Sequence, residues 1–186
     1  MRTIELESMA IEIPAVAGHP NREPFIGVLT LVDVPSDRAP AGSRGHRVIL
    51  TRAAAEAALP SLLGMGLDYS PSLDRHDAQR KVGIITRAEI VGRAIELGGY
   101  LFAKDFPEIV SRIAGGDRLP RGLEARWRRP GGPSGLGMSY EIADASVADL
   151  RAKIWTLTQV TFTGAAILRR DKAAYQDTWI ELGNEI

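Results

Sequence analysis

Short β-rich runs, separated by segments rich in glycine and proline, recur along this chain and limit the folds open to it. Residues 25–34 and 151–169 are rich in β-branched and other apolar residues. Only two segments have a helical pattern: residues 51–64, where Pro60 should end the helix early, and a short amphipathic segment that begins near Asp105. Strands are predicted at 3–13, 25–34, 46–51, 82–90, 93–103, 136–143 and 151–169. Many short strands with few helices favour an α+β, mainly β barrel or sandwich over a parallel α/β sheet.

Composition excludes several classes of function. Lys and Arg together number 23, as do Asp and Glu, so the chain lacks the basic excess typical of a nucleic-acid binder. It contains no cysteine, which excludes disulfides, cysteine nucleophiles and thiolate metal sites. No apolar run is long enough to span a membrane. We therefore predict one domain over residues 1–186, with a flexible, solvated Gly/Pro/Arg-rich loop at about 115–135.

Two residues are candidates for nucleophilic chemistry. Ser139 lies in GLGMSYEI, and His76 lies in a polar connection just before a predicted strand. A serine hydroxyl needs a base within hydrogen-bond reach, and an imidazole can serve as that base near neutral pH. The serine segment does not match GxSxG, because Glu141 stands where the second glycine should be. The residues alone leave Ser139 undecided between a nucleophile and an ordinary strand residue.

The other sequence patterns point to no further chemistry. His19 and His46 lie in loops and are expected to be solvated surface histidines. The sequence has no HExxH pattern for a metal, and no glycine-rich motif for a nucleotide.

Three segments, in the same order, resemble the prohead maturation proteases of tailed bacteriophages. They are HDAQRKVG at 76–83, GLGMSYEI at 135–142 and WTLTQVTFTGAAIL at 155–168. The first is similar to the family's histidine segment, the second to its serine segment, and the third to a later strand pair. The resemblance extends over about residues 25–175, and the family is related in fold to the herpesvirus capsid assembly protease. It implies a closed or partly open, antiparallel-rich barrel with a few short flanking helices.

The resemblance also implies roles for individual residues. Ser139 would be the nucleophile and His76 the general base. Gln159 matches the third position, where relatives carry a carboxylate or a second histidine, but its amide cannot stabilise an imidazolium as a charge would. Five other candidates for this third role stay open: Asp77, Asp144, Asp149, Thr158 and Thr161. Arg169 and Arg170 would stabilise the oxyanion, with backbone N–H groups near Gly137 and Ser139 as the alternative source.

The function that follows from the resemblance is a serine endopeptidase of prohead maturation. It would cleave the scaffolding protein, the major capsid protein and itself inside the assembling prohead, in the host cytoplasm. No metal, cofactor, nucleic acid or membrane is implied, and a homodimer is expected by analogy. One alternative is a catalytically silent, protease-like assembly component; another is a small β-rich binding module. Placement of the Ser139 hydroxyl beside the His76 ring would favour the protease.

Overall fold

A computed structural model of the protein describes residues 18–115 and 134–183. These residues form eight strands, two short α-helices and one 3-10 helix. The strands are β1 (Glu23–Leu31), β2 (Arg47–Leu50), β3 (Gly66–Asp68), β4 (Lys81–Val91), β5 (Ala94–Leu101), β6 (Leu136–Val147), β7 (Ile154–Arg169) and β8 (Trp179–Leu182). The helices are α1 (Arg52–Ala58) and α2 (Pro107–Ile113), and the 3-10 helix is Leu59–Leu62. The prediction of a mainly β fold with a few short helices is confirmed.

The strands form one curled sheet that makes a partly open barrel. The hydrogen-bonded order of the strands is β2-β7-β3-β4-β5-β1-β8. Strands β2 and β3 pair with the same edge of β7 at different points along it, and β6 pairs with the opposite edge. Strands β2 and β3 run parallel to β7, whereas every other paired strand is antiparallel to its neighbour. The sheet curls until β6 contacts β1 and β8, and the enclosed side chains form the core. The predicted antiparallel-rich, partly open barrel is therefore confirmed.

Local signals set the ends of both helices. The Thr51 hydroxyl accepts the Ala54 N–H at 3.2 Å and caps α1, and the α-helix ends at Ala58, before Pro60. Pro107 begins α2, where the backbone N–H that proline lacks would have no helical partner. Neither helix, nor any other in the described ranges, is long and apolar enough to cross a membrane.

Two strands were not predicted, because neighbouring strands rather than local sequence stabilise them. Strand β3 has three residues within a polar connection, but it pairs with β4 on one edge and with β7 on the other. Strand β8 lies in a segment expected to be polar or helical and pairs with β1. The strand predicted at 3–13 lies outside the described residues, as does most of the loop predicted at 115–135.

Candidate active site

Ser139 and His76 are far apart in the sequence but adjacent in the structure. Ser139 lies on β6, and its Oγ is 3.0 Å from Nε2 of His76, which lies in the connection between β3 and β4. The His76 side chain is 25% exposed, so the pair is accessible from solvent. At this distance the imidazole can accept the hydroxyl proton, which is the first requirement for a serine nucleophile.

The two-residue period of β6 points Ser139 away from the core. Met138 is buried in the core, and the ring of Tyr140 packs edge-on against Phe162 there. Ser139 and Glu141, which alternate with these residues, therefore lie on the opposite face of the strand. That face carries the site.

Strand β7 brings the segment that carries His76 next to β6. Ala166 is paired with Ser139 on one side and with Asp68 of β3 on the other, and it is fully buried. The segment is tied down at two points. The Arg169 N–H donates to the Leu73 carbonyl at 2.7 Å, and the Asp77 N–H donates to Asp68 Oδ1 at 2.9 Å. The second bond fixes the backbone immediately after His76.

A carboxylate lies behind the histidine. Glu141 Oε1 is 3.2 Å from His76 Nδ1, which is within ion-pair distance. The oxygen lies off the ideal N–H direction, so the buried Nδ1 makes no hydrogen bond of standard geometry. A carboxylate here favours the tautomer with the proton on Nδ1, which leaves Nε2 free to accept from Ser139. Serine, imidazole and carboxylate are thus arranged in the order that acyl transfer requires.

A second carboxylate and a lysine extend the cluster. Asp68 is fully buried, and its Oδ2 is 3.2 Å from Lys81 Nζ; the same ammonium is 3.9 Å from Glu141 Oε2. Asp68, His76 and Glu141 each offer an atom that could bind a metal, all within 4.8 Å of one another. However, the Lys81 ammonium already supplies a positive charge to both carboxylates. The cluster is therefore better explained as an ion-pair network.

Gln159, the residue predicted as third member, does not lie beside His76. It is exposed on β7 opposite Ser146, seven residues along the strand from Ala166, or roughly 20 Å away. The reason is the register of β6 and β7, which places Ala166 and Gly164, not Gln159, opposite the site.

The five alternatives for the third position also lack a contact between their side chains and His76. Asp77 contributes its backbone N–H to Asp68, while its carboxylate accepts the Gln79 N–H at 3.2 Å. The other four lie on the far halves of β6 and β7 or in the hairpin between them: Asp144, Asp149, Thr158 and Thr161. Glu141 was not among the candidates. Its spacing of two residues from Ser139 on a predicted strand is the signal that could have identified it, since it implies a shared face.

Arg169 and Arg170 lie at the end of β7 nearest the site. Arg169 pairs with Leu136, three residues before Ser139, and its guanidinium contacts the Asp171 carboxylate at 3.1 Å. The N–H of Arg170, which is partly buried, donates to the Gly135 carbonyl at 2.9 Å. Their role as oxyanion donors stays a prediction.

The remaining histidines lie outside the cluster. His19 is exposed and accepts the Asn21 N–H on Nδ1 at 3.1 Å. His46 stacks on Trp155 with ring centroids 4.5 Å apart. Within residues 18–115 and 134–183, neither contacts an acid or a nucleophile that would give it chemistry.

Comparison with solved structures gives similarities at low sequence identity. A Kaposi's sarcoma herpesvirus protease bound to a hexapeptide phosphonate inhibitor matches with a TM-score of 0.47 and 15% identity, over 88% of this chain and 66% of that one. The same protease with an allosteric inhibitor matches with a TM-score of 0.41 and 15% identity, over 88% and 77%. The capsid assembly protease of bacteriophage T4 matches with a TM-score of 0.38 and 13% identity, over 78% and 98%. This chain thus spans about two thirds of the first structure. No protein-family model and no curated protein matches it.

Proposed function

We propose that this protein is a serine endopeptidase that acts in the maturation of a phage prohead. The observation that carries the proposal is the contact of Ser139 Oγ with His76 Nε2 at 3.0 Å, with Glu141 Oε1 3.2 Å from the other ring nitrogen. The capsid context rests on the three sequence segments that resemble prohead proteases, which include this serine and this histidine.

In the first half of the reaction, Ser139 Oγ attacks a peptide carbonyl while His76 Nε2 takes the hydroxyl proton. The carbon–oxygen bond forms, and the carbonyl π electrons move onto its oxygen. His76 then protonates the leaving amine as the carbon–nitrogen bond breaks, which leaves an acyl ester on Ser139. In the second half, water attacks the ester carbon while His76 Nε2 takes its proton. The bond between that carbon and Ser139 Oγ then breaks, and His76 returns the proton to Oγ, which releases the acid product and free Ser139.

The charges of the cluster suit this proton transfer. Asp68 and Glu141 supply two negative charges, and Lys81 supplies one positive charge. The cluster becomes electrically balanced when His76 carries its second proton, which is its state while the tetrahedral intermediate exists. We therefore assign to Glu141 the stabilisation of the imidazolium, the role for which a glutamine amide is unsuited.

The oxyanion is proposed to be stabilised from the end of β7. The Cα of Arg170 is 3.4 Å from the position that a Cβ on Gly137 would occupy, on the same face of β6 as Ser139. The side chains of Arg169 and Arg170 are thus our candidates for the donors, because their backbone N–H groups already donate to the Leu73 and Gly135 carbonyls. The substrates are proposed to be the scaffolding protein, the major capsid protein and the protease itself, within the assembling prohead in the host cytoplasm. We also propose a homodimer, which gel filtration over a concentration series would test.

Reactivity of Ser139 is tested first with a fluorophosphonate probe, which forms a covalent bond with activated serines. The expected result is labelling of one site in the wild-type chain and none in Ser139→Ala, with Ser134→Ala as the matched control that still labels. Ser134 lies just before β6, and its Oγ accepts the Leu136 N–H at 3.3 Å. Absence of labelling in folded wild-type protein would contradict the serine mechanism.

The biological substrate is tested by co-expression with the capsid and scaffolding proteins encoded beside it. We expect cleavage products, identified by intact mass, that disappear with Ser139→Ala. If the protein is labelled by the probe but cleaves neither partner, the serine hydrolase mechanism is supported and these two substrates are rejected. Intact shells with neither labelling nor cleavage would favour the catalytically silent assembly component.

Gly164 provides a test of the space around Glu141. These two residues are paired between β7 and β6, and a Cβ on Gly164 would lie 2.7 Å from Glu141 Oε2. Gly164→Ala is expected to displace the carboxylate and lower the labelling rate of Ser139 roughly a hundredfold. Gly98→Ala is the control, because its Cβ would have 3.4 Å to its nearest neighbour; we expect a rate within about twofold of wild type. Equal labelling rates for the two variants would show that the space beside Glu141 does not affect the reactivity of Ser139.

A further inference from the structure

Asp68 is a fully buried carboxylate that takes no part in the proposed proton transfers. Its Oδ1 accepts the Asp77 N–H at 2.9 Å, and its Oδ2 lies 3.2 Å from Lys81 Nζ. A buried carboxylate is costly unless hydrogen bonds and an opposite charge compensate it. Asp68 therefore requires Lys81, and it fixes this side chain and the backbone next to His76 at the same time.

Lys81 connects this buried carboxylate to the site. It begins β4 and pairs with Asp68 of β3, so its position follows from strand register. Its ammonium is 3.9 Å from Glu141 Oε2, while Glu141 Oε1 faces His76 at 3.2 Å. The two oxygens of Glu141 thus face different partners, and this arrangement fixes the rotation of the carboxylate group.

Two glycines leave the space that this arrangement needs. A Cβ on Gly66 would lie 2.7 Å from Lys81 Cδ, and a Cβ on Gly164 would lie 2.7 Å from Glu141 Oε2. Neither glycine has the positive φ that would require glycine for backbone reasons. Both positions thus leave space for the side chains of the pair, and at Gly164 the same space also admits the Gly66 carbonyl oxygen, 3.3 Å from the Cβ position.

We propose that Lys81, held by Asp68, is a positioning residue that keeps Glu141 directed at His76 Nδ1. This inference rests on the proposed function, because it assigns Lys81 a role in preparing the same serine and histidine. Glu141 is 24% exposed, so without the ammonium its carboxylate can rotate into water. The imidazole would then lose the group that selects its Nδ1–H tautomer.

A double-mutant cycle separates positioning from a general effect on the fold. Lys81→Met keeps the aliphatic stem beside Gly66 and removes the charge. We expect it to lower the rate of fluorophosphonate labelling roughly tenfold to a hundredfold. In a Glu141→Gln background, the same change should lower the rate less than about twofold, because Lys81 acts through Glu141. An equal loss in both backgrounds, or no loss in the first, would overturn the proposal.

A second variant guards against misfolding. Lys81→Met alone leaves Asp68 buried without its counter-charge, so the cycle is repeated with Asp68→Asn added; the asparagine oxygen can still accept the Asp77 N–H. We expect the same loss of labelling, with a thermal unfolding midpoint near that of wild type. Lys104→Met, at an exposed lysine outside the cluster, is the matched control and should label at the wild-type rate.

The tautomer of His76 gives a readout that does not depend on catalysis. The chain has three histidines, so ring nitrogen NMR signals can be assigned with His76→Gln. At about pH 9, where an ordinary imidazole is neutral, we expect His76 to carry its proton on Nδ1 in the wild type and to become a mixture in Asp68→Asn/Lys81→Met. A tautomer change without labelling of the wild type would support positioning and reject the serine mechanism. Labelling with an unchanged tautomer would support the mechanism and reject positioning.

Discussion

Replacing His76 with glutamine is expected to lower peptide hydrolysis by about a millionfold, the loss seen when the base of a serine protease is removed. Glutamine has a similar length and can still contact Ser139 Oγ, but its amide does not accept a proton at neutral pH. The hydroxyl would then have to transfer its proton to water during attack. The measurement is the rate of cleavage of a capsid-derived substrate by wild-type and variant protein, followed by intact mass.

His46→Gln is the matched control for this experiment. The His46 ring stacks on Trp155 and contacts neither Ser139 nor Glu141, so hydrolysis should stay within about twofold of wild type. Circular dichroism and the unfolding midpoint establish that both variants are folded. A His76→Gln variant that kept more than about one hundredth of the wild-type rate would show that another group accepts the proton.

The elements predicted correctly from sequence are those with local signals. Thr51 caps α1, Pro60 ends its α-helical part, and Pro107 begins α2. Each of these signals depends only on the residue itself and on its near neighbours in the sequence. Strand β3 has only three residues, and its stability comes from pairing with β4 and β7. A local pattern in this polar segment cannot predict that pairing, because the partner strands lie elsewhere in the chain.

The contact between Ser139 and His76 is also a product of tertiary structure. The chemistry of the two residues makes both of them candidates, but in the sequence only the resemblance to a protease family links them. In the structure, Ser139 and Asp68 both pair with Ala166 of β7, from opposite sides, and Asp68 anchors the backbone of Asp77 next to His76. These are packing effects that a sequence motif does not express.

The register of β6 and β7 explains why Gln159 does not lie beside His76. Between the pairs Glu141–Gly164 and Ile142–Phe162, β7 contains one extra residue, Thr163, which forms a bulge next to the site. Further bulges follow along the same two strands, so counting residues along β7 does not give the residue opposite Ser139. The two-residue period within β6 is unaffected by the partner strand, and it places Glu141 on the face of Ser139 without any alignment.

Replacing Glu141 with glutamine is therefore expected to lower hydrolysis about ten-thousandfold, as loss of the buried carboxylate does in a serine triad. Glutamine keeps the shape of the side chain, but it removes the charge that stabilises the imidazolium. Its NH₂ group can also donate to His76 Nδ1, which favours the tautomer with the proton on Nε2.

Gln159→Ala is the matched control: Gln159 is exposed opposite Ser146, so its removal should leave the rate within about twofold of wild type. The reverse result, with hydrolysis lost in Gln159→Ala and kept in Glu141→Gln, would return the third role to Gln159. Loss in both variants would mean that the outer half of β7 also contributes to catalysis, through substrate binding beyond the cluster. Loss in Glu141→Gln alone would assign the acid of this site to a residue two positions from its nucleophile, on a single strand, so that one element sets the geometry of both.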